Sequence, residues 1–137
     1  MIIKKKINKE EHKIEFINTK KFESYLIKKI NNKDILIIDK NLIKNISINK
    51  IYKTFSKRSF LIDGNERIKS LKSFSLLIEK ILRIGVQRDS KLISIGGGTV
   101  GDLSGYIASS LLRGIDHFML PTSLLAMVDS SIGGKTG

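Results

Sequence analysis

Short unbroken apolar runs along the chain indicate strands. Strands that are covered on both faces of a parallel sheet are apolar throughout, and the run ILII at 35–38, closed by Asp39, is the clearest case. A looser alternation at 12–17 predicts an edge strand. The predicted strands are 12–17, 35–38, 51–55, 60–62, 92–95 and 118–120.

Apolar positions at spacings of three and four residues indicate helices between these strands. Thr19 is the predicted cap of the first helix, and Gly85 follows the end of the second, where a glycine commonly terminates a helix. Strands alternating with helices are typical of βαβ units, so the sequence predicts an α/β domain built on a parallel sheet. The predicted helices are 22–30, 65–84, 100–112 and a short one from Thr122.

A glycine-rich turn lies between the predicted strand 92–95 and the helix that follows it. Residues 96–101, GGGTVG, satisfy the pattern G-x-G-x-x-G, in which glycines let the backbone approach a pyrophosphate at a helix N-terminus. The usual dinucleotide fold places this pattern after its first strand, with an acidic residue ending the next. Here Asp116 precedes the next strand and Asp39 ends an earlier one. The turn alone therefore leaves two interpretations open, a nucleotide site with a different order of parts or a tight turn.

Polar residues elsewhere also have two interpretations each. Asp102 follows the glycine turn and either faces a ligand or stabilises the first helical turn. Thr122 and Ser123 begin a helix and either contact a ligand or cap that helix. Asp129 and Lys135 form either an exposed ion pair or part of a loop that holds phosphate or hydroxyl groups.

The composition limits the classes of function. The net charge is +12, and residues 1–58 carry 16 basic and 6 acidic groups. No interleaved aromatic residues or recognisable motif accompany them, so we expect a solvated lysine-rich surface and no nucleic-acid partner. The chain has no cysteine, no apolar run long enough to span a membrane and no secretory signal. We expect a cytoplasmic protein with no membrane partner.

Four blocks of residues together resemble the 3-dehydroquinate synthase family, in its order and spacing. Upstream, DGNERIKS at 63–70 is similar to the family's Gly-Glu-x-x-Lys segment with an extra polar residue, and IIDKN at 37–41 matches its ribose-binding strand end more loosely. The four blocks are GGGTVGDLSG at 96–105, LRGI at 112–115, LPTSLLA at 120–126 and VDSSIGGKTG at 128–137.

The resemblance implies a fold and an activity. It implies that residues 1–137 are the N-terminal NAD-binding, Rossmann-like α/β domain of a longer enzyme, with the second, helical metal-binding domain absent from this chain. Such enzymes convert 3-deoxy-D-arabino-heptulosonate 7-phosphate into 3-dehydroquinate in the shikimate pathway, with loss of phosphate. NAD takes a hydride and returns it within each turnover. A divalent metal, zinc or cobalt, and a homodimer are expected for the full-length enzyme.

The resemblance also assigns roles to residues of this chain. Arg113, Asp129 and Lys135 are implied as catalytic residues that meet the substrate. The implied cofactor contacts are Asp39, Asn41, Gly64, Glu66, Lys69, Gly97, Gly98, Thr99, Val100, Gly101, Asp102, Thr122, Ser123 and Lys135.

The family's metal ligands, one Glu and two His, are expected beyond Gly137. His12 and His117 fit no ligand pattern, and we expect both at the surface or at a strand edge. The chain ends on a glycine-rich loop, from which we expect a truncated protein that binds NAD weakly and lacks synthase activity by itself. The alternatives are another sugar-phosphate cyclase, a metal-dependent alcohol dehydrogenase, or an inactive stand-alone NAD-binding fragment.

Overall fold

The computed structural model describes residues 2–7 and 10–132 and confirms the α/β prediction. Within these residues, a two-stranded antiparallel hairpin precedes a parallel sheet of four strands and the helices that cover it. The strands are β1 (Ile2–Ile7), β2 (Glu10–Glu15), β3 (Ile35–Asp39), β4 (Ser59–Ile62), β5 (Lys91–Gly96) and β6 (Asp116–Pro121). The helices are α1 (Phe22–Lys29), α2 (Ile46–Thr54), α3 (Leu71–Arg83) and α4 (Gly98–Ser110).

The order of the strands in the parallel sheet is β4-β3-β5-β6. The chain runs from β3 to β4 on one side and then crosses to β5 on the other side of β3. The strand order therefore reverses between β3 and β5. In open α/β sheets a crevice forms at such a reversal, outside the carboxyl ends of the strands, and ligands bind there.

Two hydrophobic clusters hold helices on opposite faces of this sheet. On one face, Leu36 and Ile38 of β3 pack with buried residues of α1 and α2. On the other, Ile35 and Ile37 pack with buried residues of α3 and α4. Side chains alternate between the faces of a strand, so the unbroken run of isoleucine and leucine in β3 supplies both clusters.

The prediction of a strand at 51–55 is wrong, because residues 46–54 form the helix α2. Ile48 and Ile51 are buried at helical spacing, and the side chain of Asn45 accepts hydrogen bonds from the amides of Ser47 and Ile48 at 3.0 and 3.2 Å. This cap outweighs the β-propensity of isoleucine and tyrosine.

Two further predictions at the N-terminal end need correction. Asn18, rather than Thr19, caps the first helical segment, because its side-chain oxygen accepts from the Lys20 amide at 2.9 Å. The strand predicted at 12–17 corresponds to β2, which pairs with β1, a strand that the sequence pattern did not indicate. The lysine run in β1 hides its alternation.

Candidate functional site

The carboxyl ends of β3, β4 and β5 bring together most of the residues that the sequence singled out. Because the three strands are parallel and adjacent, the segments that follow them meet at one edge of the sheet. We call this the carboxyl edge. It contains Asp39 and Asn41 after β3, the turn 63–69 after β4, and the glycine turn 96–98 after β5.

Asp39 is held in place by its own turn and by a glycine. One carboxylate oxygen, Oδ1, accepts from the amide of Asn41 at 2.9 Å and from its side-chain Nδ2 at 3.1 Å. The other, Oδ2, lies so close to Gly64 that a Cβ there would be 2.1 Å away. Only glycine fits at position 64 with Asp39 in this position. Among the described residues Oδ2 has no hydrogen-bond donor, so it remains an acceptor for a ligand hydroxyl.

The turn after β4 is capped by the residue that the family pattern lacks. The Asn65 side chain accepts from the amide of Arg67 at 3.0 Å and so begins the 3-10 helical turn Glu66–Ile68. Beside it, the ammonium group of Lys40 lies 2.7 Å from Asp63, and this bond lowers the pKa of the Asp63 carboxyl. The extra polar residue is therefore accommodated as a cap, and it orients Glu66 toward α4.

Four side chains join this turn to the start of α4. Thr99 Oγ1 donates to Glu66 Oε1 at 2.5 Å, and Lys69 Nζ donates to Asp102 Oδ2 at 2.8 Å. Lys69 also lies 3.3 Å from Glu66. The Thr99 hydroxyl, followed by Lys69, lowers the pKa of Glu66, and the Asp102 carboxylate raises the pKa of Lys69. Glu66 and Lys69 are therefore both charged near neutral pH.

The glycine turn leaves the N-terminus of α4 open. Gly97 is the N-cap of this helix and supplies no side-chain oxygen to its first amides. A Cβ on Gly98 would lie 3.1 Å from Ser130 Oγ, a buried hydroxyl without a hydrogen-bond partner among the described residues. Uncapped amides at the start of a 13-residue helix are the donors that a phosphate group binds.

Val100 and Gly101 serve packing. The Val100 side chain is fully buried against Gly96, where a Cβ would come within 2.7 Å of it. A Cβ on Gly101 would lie 2.4 Å from the end of the Met119 side chain on β6. These two positions therefore let α4 approach the sheet closely, and only their main chain is available to a ligand.

Thr122 and Ser123 also lie at the carboxyl edge, after β6. The Thr122 amide donates to the Gly96 carbonyl at 2.9 Å, which fixes the segment beside the glycine turn. The Ser123 hydroxyl accepts from the Ala126 amide at 3.3 Å, which agrees with the capping interpretation of this residue. Its oxygen also lies 3.6 Å from the position of a Cβ on Gly97, so it borders the open helix N-terminus.

Of the residues implied as catalytic, the two that the structure describes, Arg113 and Asp129, lie apart. Asp129 is exposed in the π-helical turn Ala126–Ser130, near the carboxyl edge. Arg113 lies in the loop between α4 and β6, at the opposite, amino edge of the sheet, with φ of 76°. Lys135 lies outside the described residues. The roles of all three stay predictions.

His117 lies on β6, the edge strand of the described sheet, as predicted, but its ring is half-buried instead of at the surface. Its Nε2 is 2.9 Å from the Ser94 hydroxyl, and burial lowers its pKa to about 4. His12 lies in β2.

Residues 2–7 and 10–132 contain no group of three or more His, Cys, Asp or Glu side chains placed to hold a metal ion. No helix in the described part of the chain could cross a membrane.

Sequence reasoning missed Asn65 and Ser130 as parts of this edge. An asparagine directly before a helical turn is a recognisable N-cap signal, and this signal could have identified Asn65. Nothing in the sequence indicates that Ser130 packs against Gly98, 32 positions earlier.

Comparisons with known sequences point to one family. The profile of the 3-dehydroquinate synthase N-terminal family matches residues 59–137. The 3-dehydroquinate synthase of Prochlorococcus marinus strain MIT 9215 is 43% identical over 109 residues, covering 79% of this chain and 29% of that protein. The enzyme of Pelagibacter ubique is 38% identical and covers 99% of this chain and 39% of that protein. The chain thus spans about three to four tenths of the length of these relatives.

Solved structures of two sugar-phosphate cyclases share the fold. A 2-deoxy-scyllo-inosose synthase complexed with carbaglucose-6-phosphate, NAD+ and Co2+ superimposes with a TM-score of 0.76 at 24% identity, over 95% of this chain and 38% of that one. The 2-epi-5-epi-valiolone synthase of Streptomyces hygroscopicus, with NAD+ and Zn2+ bound, gives 0.69 at 25% identity, over 82% of this chain and 32% of that one. The matched profile spans residues 59–137, which is more than half of this chain. The chain therefore belongs to the 3-dehydroquinate synthase family.

Proposed function

We propose that this chain provides the NAD-binding part of a 3-dehydroquinate synthase. The observation that carries the proposal is the carboxyl edge, where a glycine turn opens α4 at the point of strand-order reversal and carboxylates flank it on the side of β3 and β4. A dinucleotide needs amide donors for its pyrophosphate and acceptors for its ribose hydroxyls. This edge contains both.

The residues present fit NAD in chemistry and in space. Amides at the start of α4 would hold the pyrophosphate, since Gly97 and Gly98 put no side chain between the backbone and a ligand. Asp39 Oδ2 would accept a hydrogen bond from a ribose hydroxyl. Glu66, exposed over most of its side chain and kept ionised by Thr99 and Lys69, would accept another.

In the proposed reaction, bound NAD supplies a reversible hydride acceptor for a ring hydroxyl of the heptulosonate phosphate. This chain's residues bind and orient the cofactor and exclude water from its inner side. Asp129 and Lys135 belong to the stretch of sequence that follows β6 and are proposed to face the substrate. The anion-binding role of Arg113 stays a prediction, because this residue lies at the amino edge of the sheet, away from the glycine turn. The divalent metal would be held by residues outside the described part of this chain, in a full-length homodimeric cytoplasmic enzyme.

A second cyclase function has support from the solved structures. One neighbour was solved with carbaglucose-6-phosphate, NAD+ and Co2+ and the other with NAD+ and Zn2+, and their fold is shared over most of this chain. Assaying the complete coding product with heptulosonate phosphate against hexose and heptose phosphates separates the two. A dehydrogenase would differ from both, because it would accumulate NADH in step with product. A cyclase would not.

NAD titration of the 137-residue chain tests the cofactor proposal. We expect measurable but weak binding by calorimetry, because this chain supplies only one wall of the cofactor cleft. We also expect no phosphate release from heptulosonate phosphate with added zinc. Asp39→Ala should weaken NAD binding about tenfold, the order of a lost charge-assisted hydrogen bond.

Asp89→Ala is the matched control, since Asp89 pairs with Lys33 at the amino edge and lies far from the glycine turn along β5. It should leave NAD binding unchanged. The proposal is wrong if wild type gives no binding heat, or if both alanine variants behave alike. Phosphate release above the buffer control would contradict the expected inactivity of the chain alone.

A further inference from the structure

Two serines of the segment after β6 border the open N-terminus of α4. Ser123 Oγ lies 3.6 Å from the position of a Cβ on Gly97, which is the N-cap of the helix. Ser130 Oγ lies 3.1 Å from the position of a Cβ on Gly98, the first residue of the helix. The segment after β6 therefore forms a side wall beside the uncapped amides, and two hydroxyl groups belong to that wall.

The hydroxyl of Ser130 differs from the other serine hydroxyls of helical turns. Such hydroxyls commonly donate to a carbonyl three or four residues earlier, as Ser131 does to Met127 at 3.3 Å. For Ser130 the equivalent carbonyl is that of Ala126, which accepts from the Ser131 amide at 3.0 Å in the π-helical turn. The Ser130 oxygen is buried without a partner among the described residues. A buried hydroxyl in this state raises the free energy of the fold.

A phosphate group at the start of α4 supplies the acceptor that this hydroxyl lacks. We propose that Ser130 is a further binding residue for the cofactor, whose hydroxyl donates to the pyrophosphate beside the first amides of α4. This rests on the proposed function, because it concerns the same cofactor. Rotation about one side-chain bond moves the hydroxyl between its staggered positions, and a hydrogen bond to a charged oxygen is stronger than one between neutral groups.

The same bond would connect the cofactor to the segment that is proposed to face the substrate. Ser130 directly follows Asp129 and ends the π-helical turn Ala126–Ser130. Single π-helical turns occur often at functional sites. Without a ligand the Ser130 hydroxyl costs stability, and with the pyrophosphate bound it contributes affinity. Stability and binding should therefore respond to its removal with opposite signs.

Ser130→Ala in the 137-residue chain tests both signs. We expect NAD binding to weaken about fivefold by calorimetry, because one charge-assisted donor is lost. Without NAD, the midpoint of thermal unfolding should rise by about 2 °C, because a buried hydroxyl without a partner has been removed. A merely structural role would lower both the midpoint and the affinity. A lowered midpoint or an unchanged NAD affinity overturns the proposal.

Two matched controls make the same substitution elsewhere. Ser131→Ala removes the neighbouring hydroxyl, which already has a partner, so the midpoint should not rise and NAD affinity should not change. Ser104→Ala removes the second buried hydroxyl without a partner among the described residues, on the face of α4 toward the sheet. It should raise the midpoint and leave NAD affinity unchanged. A loss of affinity in Ser104→Ala equal to that in Ser130→Ala would assign the effect to packing of α4 and overturn the proposal.

ADP-ribose locates the contact on the cofactor, since it keeps the pyrophosphate and lacks the nicotinamide ring. Ser130→Ala should weaken the binding of ADP-ribose by the same factor as that of NAD. A loss confined to NAD would place the hydroxyl at the nicotinamide end and overturn the assignment to the pyrophosphate. If wild type binds neither compound, the proposed function fails and this inference fails with it. If wild type and Ser130→Ala bind both compounds equally, only this inference fails.

Discussion

The two edges of the parallel sheet use their polar groups in opposite ways. At the amino edge, the Arg58 guanidinium donates to four backbone carbonyls, those of Lys33, Asp34, Ile84 and Gly85, at 2.5–3.2 Å. The buried carboxylate of Asp34 accepts from the amides of Asn31 and Lys91 at 2.8 and 3.0 Å. At the carboxyl edge, the α4 amides lack a side-chain cap and the Ser130 hydroxyl lacks a partner among the described residues.

The difference shows where stability and binding are located. Groups that satisfy one another inside the chain lower the free energy of the fold, and they are not available to a ligand. Groups left open at the carboxyl edge contribute little to the fold, and they are free to bind. Substitutions at the amino edge should therefore change the free energy of unfolding, and substitutions of the groups left open at the carboxyl edge should mainly change the affinity for NAD.

Arg58→Met should have the largest effect on stability. It leaves four carbonyls without their shared donor, and we expect a loss of about 3 kcal/mol in the free energy of unfolding. Urea denaturation followed by far-UV circular dichroism measures it. Arg58→Lys should recover less than half of the loss, because one ammonium group cannot reach the four carbonyls at once. A loss below about 1 kcal/mol would show that water replaces the guanidinium.

Acid should destabilise the fold through His117. Burial lowers its pKa from 6.5 to about 4, so between these values the unfolded chain binds a proton that the folded chain excludes. Stability from this residue is therefore complete above pH 6.5 and falls as the pH decreases toward 4. We expect a loss of about 2 kcal/mol over this window in urea denaturation.

His117→Gln isolates this contribution from the carboxylates with lowered pKa, such as Asp63 and Glu66, whose stabilising effect is lost at lower pH. The variant should have a flatter stability profile between pH 4 and 6.5 than wild type. Parallel profiles for the two proteins would assign the acid sensitivity to other groups.

Gly64→Ala and Gly85→Ala make the same substitution at the two edges, so their effects on stability and on NAD affinity can be compared directly. At the carboxyl edge, the new methyl group would come within 2.1 Å of Asp39 Oδ2 and displace it, so NAD affinity should fall about fivefold. At the amino edge, Gly85 has φ of +80° and open space around its Cβ position, so alanine should cost about 1 kcal/mol of stability through backbone strain. NAD affinity should not change there. Equal effects of both variants on binding would remove the distinction between the edges.

Local signals in the sequence predicted the central elements well. The run ILII predicted β3, and the amphipathic stripe at 65–84 predicted α3 with Gly85 beyond its end, although the helix begins only at Leu71, after the 3-10 turn Glu66–Ile68. Such elements depend on burial of their own residues, which periodicity reports directly. Helix α2 was missed because isoleucine favours strands in general, whereas here the cap at Asn45 and the spacing of Ile48 and Ile51 decide the outcome.

The sequence predicted which residues belong to the site, but only part of their arrangement. Asp39, Glu66 and Thr99 were all singled out as cofactor contacts, and the structure brings them to one edge. The pairing of Lys69 with Asp102 was not predicted, because it joins segments 33 positions apart whose separation depends on the completed sheet. The position of Arg113 at the amino edge likewise follows from the topology of α4 and β6 and from no local pattern.

The strand order also determines when the crevice forms during folding. Residues that pair between β3 and β4 are 23 positions apart, and those between β5 and β6 are 25 apart, whereas Ile35 of β3 pairs with Leu92 of β5, 57 positions later. Closing that loop carries the largest entropic cost of the three pairings, since the cost grows with the logarithm of loop length. The crevice lies at this joint, so its formation depends on the pairing with the largest loop-closure cost. A nucleotide that binds there binds only folded chains, and it therefore stabilises the folded state against unfolding.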